Sequence, residues 1–128
     1  MKLLVTGGAG FIGANYVLRH LELHPEDRID VVDALTYAGN LESLSSIESN
    51  PRYRFHKADI TVPEQIGPVF EAVKPDAVIH FAAESHVARS ITGPRVFTGT
   101  NVLGTQHLLD LSRQFEVQRF VMVSTDEV

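Results

Sequence analysis

The chain has 128 residues, of which 44% are hydrophobic and 21% charged, a composition typical of one globular domain. It contains no cysteine, so disulfides, thiolate metal sites and cysteine nucleophiles are excluded. The net charge of −5 argues against a uniformly basic surface for nucleic acid. No apolar run reaches the roughly 18 residues of a membrane span. We therefore expect a cytoplasmic protein with neither nucleic acid nor membrane as a partner.

Short apolar runs alternate with helical patterns along the chain. The sequence predicts strands at 2–6, 29–33, 53–57, 77–81 and 119–124, and helices at about 11–23 and 97–115. It also predicts a short helix capped by Asn40, and a helix that starts at a capping box formed by Thr61 and Glu64. This second helix ends at Lys74 before Pro75, and its apolar residues have helical spacing: Ile66, Val69, Phe70 and Val73. Strands that are apolar on both faces and separated by helices indicate an α/β fold. We expect a doubly wound, Rossmann-like parallel sheet with helices on both faces.

A glycine-rich segment, Thr6-Gly-Gly-Ala-Gly-Phe-Ile-Gly13, follows the first strand and opens the first helix. Glycine allows a tight turn there, and backbone N–H groups at the helix N-terminus can then approach a pyrophosphate. Asp33 ends the second strand about 20 residues later, where its carboxylate can bind ribose hydroxyls and repels a 2′-phosphate. Ala34 supplies no compensating cation. The segment therefore predicts a dinucleotide site that prefers NAD to NADP.

Other polar residues also lie where predicted strands end. Asp59 ends the third strand, where it can reach the adenine amino group or simply be solvated. Ser85 follows the fourth strand, and Thr125, Asp126 and Glu127 follow the fifth. A carboxylate pair in a partly buried cleft is driven to different pKa values, so one member can act as acid and the other as base. A solvated strand end is the alternative for Asp126 and Glu127.

The sequence also contains weaker motifs. His20 and His24 have the spacing of a two-histidine metal site but lack the usual glutamate between them, so we expect no metal. Tyr53-x-x-x-Lys57 matches a catalytic motif that requires a helix, whereas these residues fall on a predicted strand. The remaining histidines of interest are interpreted as structural and have no predicted partner: His56, His80 and His107.

Five segments of the chain form one pattern: the glycine segment, Asp33-Ala-Leu-Thr-Tyr-Ala-Gly-Asn, His80-Phe-Ala-Ala-Glu-Ser-His-Val, Arg89-Ser-Ile-Thr-Gly-Pro and Ser124-Thr-Asp-Glu-Val. This pattern resembles that of the dTDP-glucose 4,6-dehydratase family of extended short-chain dehydrogenase/reductases. It implies a homodimeric lyase that uses NAD to convert dTDP-glucose into its 4-keto-6-deoxy form. Asp126 is then the acid for the C6 hydroxyl and Glu127 the base for the C5 proton. Thr125 holds the C4 oxygen, and Ser85 contacts the sugar.

The resemblance also completes the predicted NAD site. Its residues are Gly7, Gly10, Phe11, Ile12, Gly13, Asp33, Ala34, Leu35, Thr36, Asp59, Ile60, Phe81, Ala82, Ala83, Ser85 and Thr100.

The chain departs from the family pattern in two ways. Ala88 stands where the family usually has Asp, and the sequence ends before the family's tyrosine helix and nucleotide-sugar domain. We therefore expect residues 1–128 to be a C-terminally truncated NAD-binding domain that is inactive by itself. A sugar-nucleotide 4-epimerase and a noncatalytic NAD-binding module are the alternatives.

Overall fold

The structure is a computed structural model that describes residues 1–7, 11–34, 41–81 and 94–123. Its elements are β1 (Lys2–Thr6), α1 (Phe11–Leu23), β2 (Arg28–Asp33), a 3-10 helix (Leu41–Ile47), β3 (Tyr53–Lys57), α2 (Pro63–Val73), β4 (Ala77–Phe81), α3 (Pro94–Gln114) and β5 (Arg119–Val123). The strands form one parallel 5-stranded sheet in the order β3-β2-β1-β4-β5. The predicted doubly wound, Rossmann-like sheet is confirmed.

Alternate side chains of each strand pack into two separate cores, one on each face of the sheet. Val5 of β1 packs with Val17 and Leu21 of α1, whereas its neighbour Leu4 packs on the opposite face with Phe70 of α2. This alternation follows from the two-residue period of a strand. The apolar positions that predicted α2 are all buried: Ile66, Val69, Phe70 and Val73.

The predicted capping box at the start of α2 is wrong. Val62 is the N-cap residue and makes no side-chain capping bond, and Pro63 is the first helical residue. Proline is favoured at that position because its fixed φ suits a helix and its missing N–H would have no helical partner. The Thr61 hydroxyl instead donates to Asp59 Oδ1 at 2.6 Å. The other end is as predicted, since Lys74 terminates α2 in the left-handed conformation.

Several other boundaries differ slightly from the prediction. β2 begins one residue earlier, at Arg28, and α3 begins at Pro94 rather than near residue 97. The predicted short helix is a 3-10 helix, and its proposed cap, Asn40, lies outside the described residues, as does Ser124 at the predicted end of β5.

β5 is less covered than the prediction of a fully buried sheet implies. Val121 and Met122 are consecutive residues of β5, so they face opposite sides of the sheet, yet they are 38% and 50% exposed. The reason is position, because β5 ends the strand order and pairs with β4 in the described sheet. None of the described helices is long and apolar enough to cross a membrane.

Candidate functional site

The order in which strands are added to the sheet reverses between β1 and β4. From β1 the chain proceeds through β2 to β3 on one side, and β4 then returns to the other side of β1. In open α/β sheets the ligand crevice lies at such a switch point, beyond the carboxyl ends of the strands. Thr6 of β1 and Phe81 of β4 stand at these ends, so this is where a ligand site is expected.

Gly7 is the first residue of the turn that leaves β1. Its φ is +74°, and a Cβ placed on it would lie 2.7 Å from the backbone oxygen of Phe81. Its N–H donates to the carbonyl oxygen of Val32 at 2.9 Å. Glycine is therefore required both by the backbone conformation and by the closeness of β4. The chain here is held against both neighbouring strands, β2 and β4.

The other described members of the predicted site lie around this turn. Gly13 is buried within α1, whereas Ile12 before it is 48% exposed. Asp33 ends β2 in a half-buried position with Ala34 after it, and the main-chain oxygen of Asp33 accepts from the N–H of Ala58 at 3.2 Å. These positions place the glycine turn and the acidic strand end on the same edge of the sheet.

A buried histidine joins three elements beside the turn. The imidazole of His80 hydrogen-bonds the hydroxyl of Thr6 through Nδ1 at 2.5 Å and the hydroxyl of Thr105, on α3, through Nε2 at 3.0 Å. His80 is 3% exposed, and burial lowers its pKa from 6.5 to about 4. A neutral imidazole suits this place because it offers one donor and one acceptor, and each hydroxyl can do either. His80 thus ties the last residue of β1 to β4 and α3.

The connection between β3 and α2 carries Asp59 and Ile60. Asp59 Oδ1 accepts from the N–H of Thr61 at 2.9 Å as well as from its hydroxyl. The N–H of Asp59 donates to the side-chain oxygen of Gln65 at 2.8 Å. On the other side, the carbonyl oxygen of Ile60 is 2.9 Å from Nδ1 of His107 on α3. The segment of Asp59 and Ile60 is therefore fixed by bonds to both α2 and α3.

The rest of the predicted site is not described by the structure. Phe11 and Thr100 fall within α1 and α3, but their side chains lie outside the described part of the chain. Also outside it are Gly10, Leu35, Thr36, Ala82, Ala83, Ser85, Ala88, Thr125, Asp126 and Glu127.

The weaker patterns have other roles. His20 Nε2 bonds Asp27 at 2.8 Å and its ring lies 4.5 Å from that of His24, and no group of three or more metal-ligating side chains occurs among the described residues. Tyr53 and Lys57 lie on a strand, as predicted. All three histidines that were interpreted as structural have partners, and that of His56 is Asp30.

Two polar residues that each bond to more than one partner, here called polar anchors, were not predicted. Asp30, 1% exposed, is 2.8 Å from Arg54 Nε and 2.9 Å from His56 Nε2. Burial alone would raise the pKa of Asp30, but the bonds from His56 and Arg54 outweigh it and lower that pKa. The second anchor is Arg52, which donates to three carbonyl oxygens at and beyond the end of α1, those of Leu21, His24 and Asp27. The strand register, which pairs Asp30 with Arg54, is the signal that would have revealed the first anchor.

Comparison with known proteins identifies the family. Residues 4–128 match the family model described as GDP-mannose 4,6 dehydratase. The chain belongs to this family. It is 50% identical to the dTDP-glucose 4,6-dehydratase of Salmonella typhimurium over 137 aligned residues, which cover 100% of this chain and 38% of that protein. The chain thus spans well under half the length of the curated relatives it matches.

Solved structures of similar proteins share the fold. The dTDP-glucose 4,6-dehydratase of Streptomyces venezuelae, solved with NAD bound, has a TM-score of 0.88 and 50% identity over 100% of this chain and 40% of its own. The dTDP-glucose 4,6-dehydratase of Bacillus anthracis, also in complex with NAD, has a TM-score of 0.84 and 42% identity. The match covers 100% of this chain and 38% of that protein. A UDP-glucose 4-epimerase from Thermotoga maritima has a TM-score of 0.84 and 35% identity, and the match covers 98% of this chain and 38% of the epimerase.

Proposed function

We propose that this chain binds NAD at the carboxyl edge of the sheet, with the pyrophosphate at the glycine turn and the adenosine ribose at Asp33. The residues fit such a group, because Gly7 begins a turn beside β4 that only glycine can form, and Asp33 ends the neighbouring strand at the same edge of the sheet. The carboxylate at the end of β2 suits a ribose diol and disfavours a 2′-phosphate. Relatives solved with NAD bound support the same assignment.

We further propose that residues 1–128 form the N-terminal NAD-binding domain of a longer, cytoplasmic and homodimeric dTDP-glucose 4,6-dehydratase. The support is identity, which is 50% with the Salmonella typhimurium and Streptomyces venezuelae proteins of that name and 35% with the Thermotoga maritima epimerase. The tyrosine helix and the sugar-nucleotide domain would belong to the remainder of the protein. By themselves, residues 1–128 would bind NAD without turning over a sugar.

The acid and base of the reaction are assigned to the residues that follow β5. When bound, NAD supplies a hydride acceptor and donor for the sugar. Thr125 holds the C4 oxygen in place, Glu127 removes the proton from C5, and Asp126 donates a proton to the C6 hydroxyl, which leaves as water. The two carboxyl groups therefore need opposite protonation states, which neighbouring carboxylates can adopt in a shielded site.

Product mass tests this proposal most directly. The full-length protein, incubated with dTDP-glucose, should release a product lighter by one water with no net consumption of NAD. Glu127→Gln should lower turnover by about 100-fold or more because the base is lost. Glu71→Gln, an exposed change on α2, is the matched control and should leave turnover intact.

Each result that contradicts the proposal has a distinct meaning. A product of unchanged mass would instead indicate the epimerase. Unchanged turnover by Glu127→Gln would refute the base assignment. Calorimetry that detects no NAD binding by the full-length protein would refute the cofactor site itself.

A further inference from the structure

Helix α3 contacts Ile60 through two of its residues. His107 approaches the main chain, with Nδ1 2.9 Å from the carbonyl oxygen of Ile60. A carbonyl oxygen can only accept a hydrogen bond, so Nδ1 of His107 carries the proton. Gly104, one turn earlier and on the same face of α3, approaches the side chain. A Cβ placed on Gly104 would lie 2.5 and 2.6 Å from carbons of the Ile60 side chain.

These contacts hold the residue that follows Asp59. Asp59 immediately precedes Ile60. Its N–H donates to Gln65 of α2, and its carboxylate accepts from the N–H of Thr61. The segment is therefore held from α2 on one side and from α3 on the other. The carbonyl of Ile60 lies in the same peptide plane as the N–H of Thr61. Turning that carbonyl away from α3 would therefore also turn the Thr61 N–H, which donates to Asp59 Oδ1 at 2.9 Å.

We propose that His107 and Gly104 are positioning residues that set the recognition of adenine by Asp59. The inference rests on the proposed NAD site and adds that Asp59 accepts a hydrogen bond from the adenine amino group, the first of the two alternatives that the sequence leaves open. Nicotinamide hypoxanthine dinucleotide carries a carbonyl oxygen in place of that amino group, so a well-placed carboxylate repels it. The ratio of the two affinities therefore reports the placement of Asp59, and uniform weakening of the site does not change this ratio.

His107 variants of the full-length protein provide the first test. The unmodified protein should bind NAD more tightly than the hypoxanthine analogue, by about tenfold for one such hydrogen bond. His107→Ala should reduce this ratio severalfold. His107→Asn should restore it, because the asparagine amide can donate from nearly the position of Nδ1. Gln106→Ala, which removes only an exposed bond to Asp110, should leave the ratio unchanged.

Glycine variants give an independent test through packing. Gly104→Ala should push the Ile60 side chain from α3 and lower the affinity ratio. Gly67→Ala is the matched control, since nothing lies within 4 Å of a Cβ placed on Gly67 of α2. The control should leave the ratio unchanged.

The outcomes separate this inference from the proposed function. Equal loss of affinity for both dinucleotides in His107→Ala, or no rescue by asparagine, would overturn the positioning role. An unaltered ratio in Gly104→Ala would overturn the role of the close contact. If the unmodified protein binds NAD but does not prefer it to the analogue, the inference fails while the NAD site stands. If it does not bind NAD, the proposed function fails first.

Discussion

Acidification probes the buried imidazole of His80. In the folded chain its pKa is about 4, against the ordinary 6.5, because burial disfavours the charged ring. The unfolded chain therefore takes up a proton that the folded chain does not, across the range between these two values. The stability due to the neutral ring is fully present above about pH 6.5 and is lost as the pH falls towards 4. The shift corresponds to about 3 kcal/mol.

Urea unfolding of the 128-residue chain, followed by circular dichroism between about pH 7 and pH 5, measures this effect. The free energy of unfolding should fall by about 1 kcal/mol or more per pH unit near the middle of the range. His80→Gln keeps a donor and an acceptor for the two threonine hydroxyls but cannot titrate. Its stability should therefore depend less steeply on pH. Subtracting the variant's profile removes the contributions of the other ionisable groups.

Two results would refute the reasoning. One is a pH profile of equal steepness in the unmodified chain and in His80→Gln. The other comes from NMR on the unmodified chain, which does not depend on the variant folding. If the His80 ring protonates near its ordinary pKa of 6.5, the imidazole is not shielded as the structure describes.

Two further substitutions test the glycine turn and the end of α1. Gly7→Ala should cost about 2 kcal/mol or more and weaken NAD binding, as it combines a positive φ with a Cβ 2.7 Å from a backbone oxygen. Urea titration and calorimetry measure the two effects, and an unchanged unfolding midpoint would contradict the close approach of Phe81. Arg52→Met should lower the unfolding free energy by about 2 kcal/mol, because it removes the guanidinium donor from the carbonyl oxygens of Leu21 and Asp27 and one of two donors from that of His24. The control Arg19→Met, an exposed change on α1, should leave the unfolding free energy unchanged.

Much of the fold could be predicted because its signals are local. The apolar run before Gly7 and the helical spacing of Ile66, Val69, Phe70 and Val73 each specify one element without reference to the others. Right-handed crossovers between parallel strands predict a doubly wound sheet, and the observed strand order is of that type. The capping box failed because two local signals competed, and Pro63 outweighed Thr61.

The polar contacts could not be predicted in the same way. The bond between Thr6 and His80 joins residues 74 positions apart, and it depends on the register of β1 against β4. The bond from His107 to Ile60 also requires the approach of α3 to the β3–α2 connection. Such contacts depend on how elements pack, whereas periodicity describes each element alone. The acid and base assignments came from resemblance, and their residues lie outside the described part of the chain.

The central position of β1 has a consequence for synthesis on the ribosome. β1 pairs with β2, which follows it closely, and with β4, whose partner residues emerge 74 positions later. Non-local pairings of this kind form slowly, because a long loop must close first. The part of the sheet formed by β1, β2 and β3 can therefore assemble early, and the edge of β1 that later pairs with β4 is then exposed. A translational pause before Ala77 would prolong that exposure and favour capture by a chaperone or by another nascent chain.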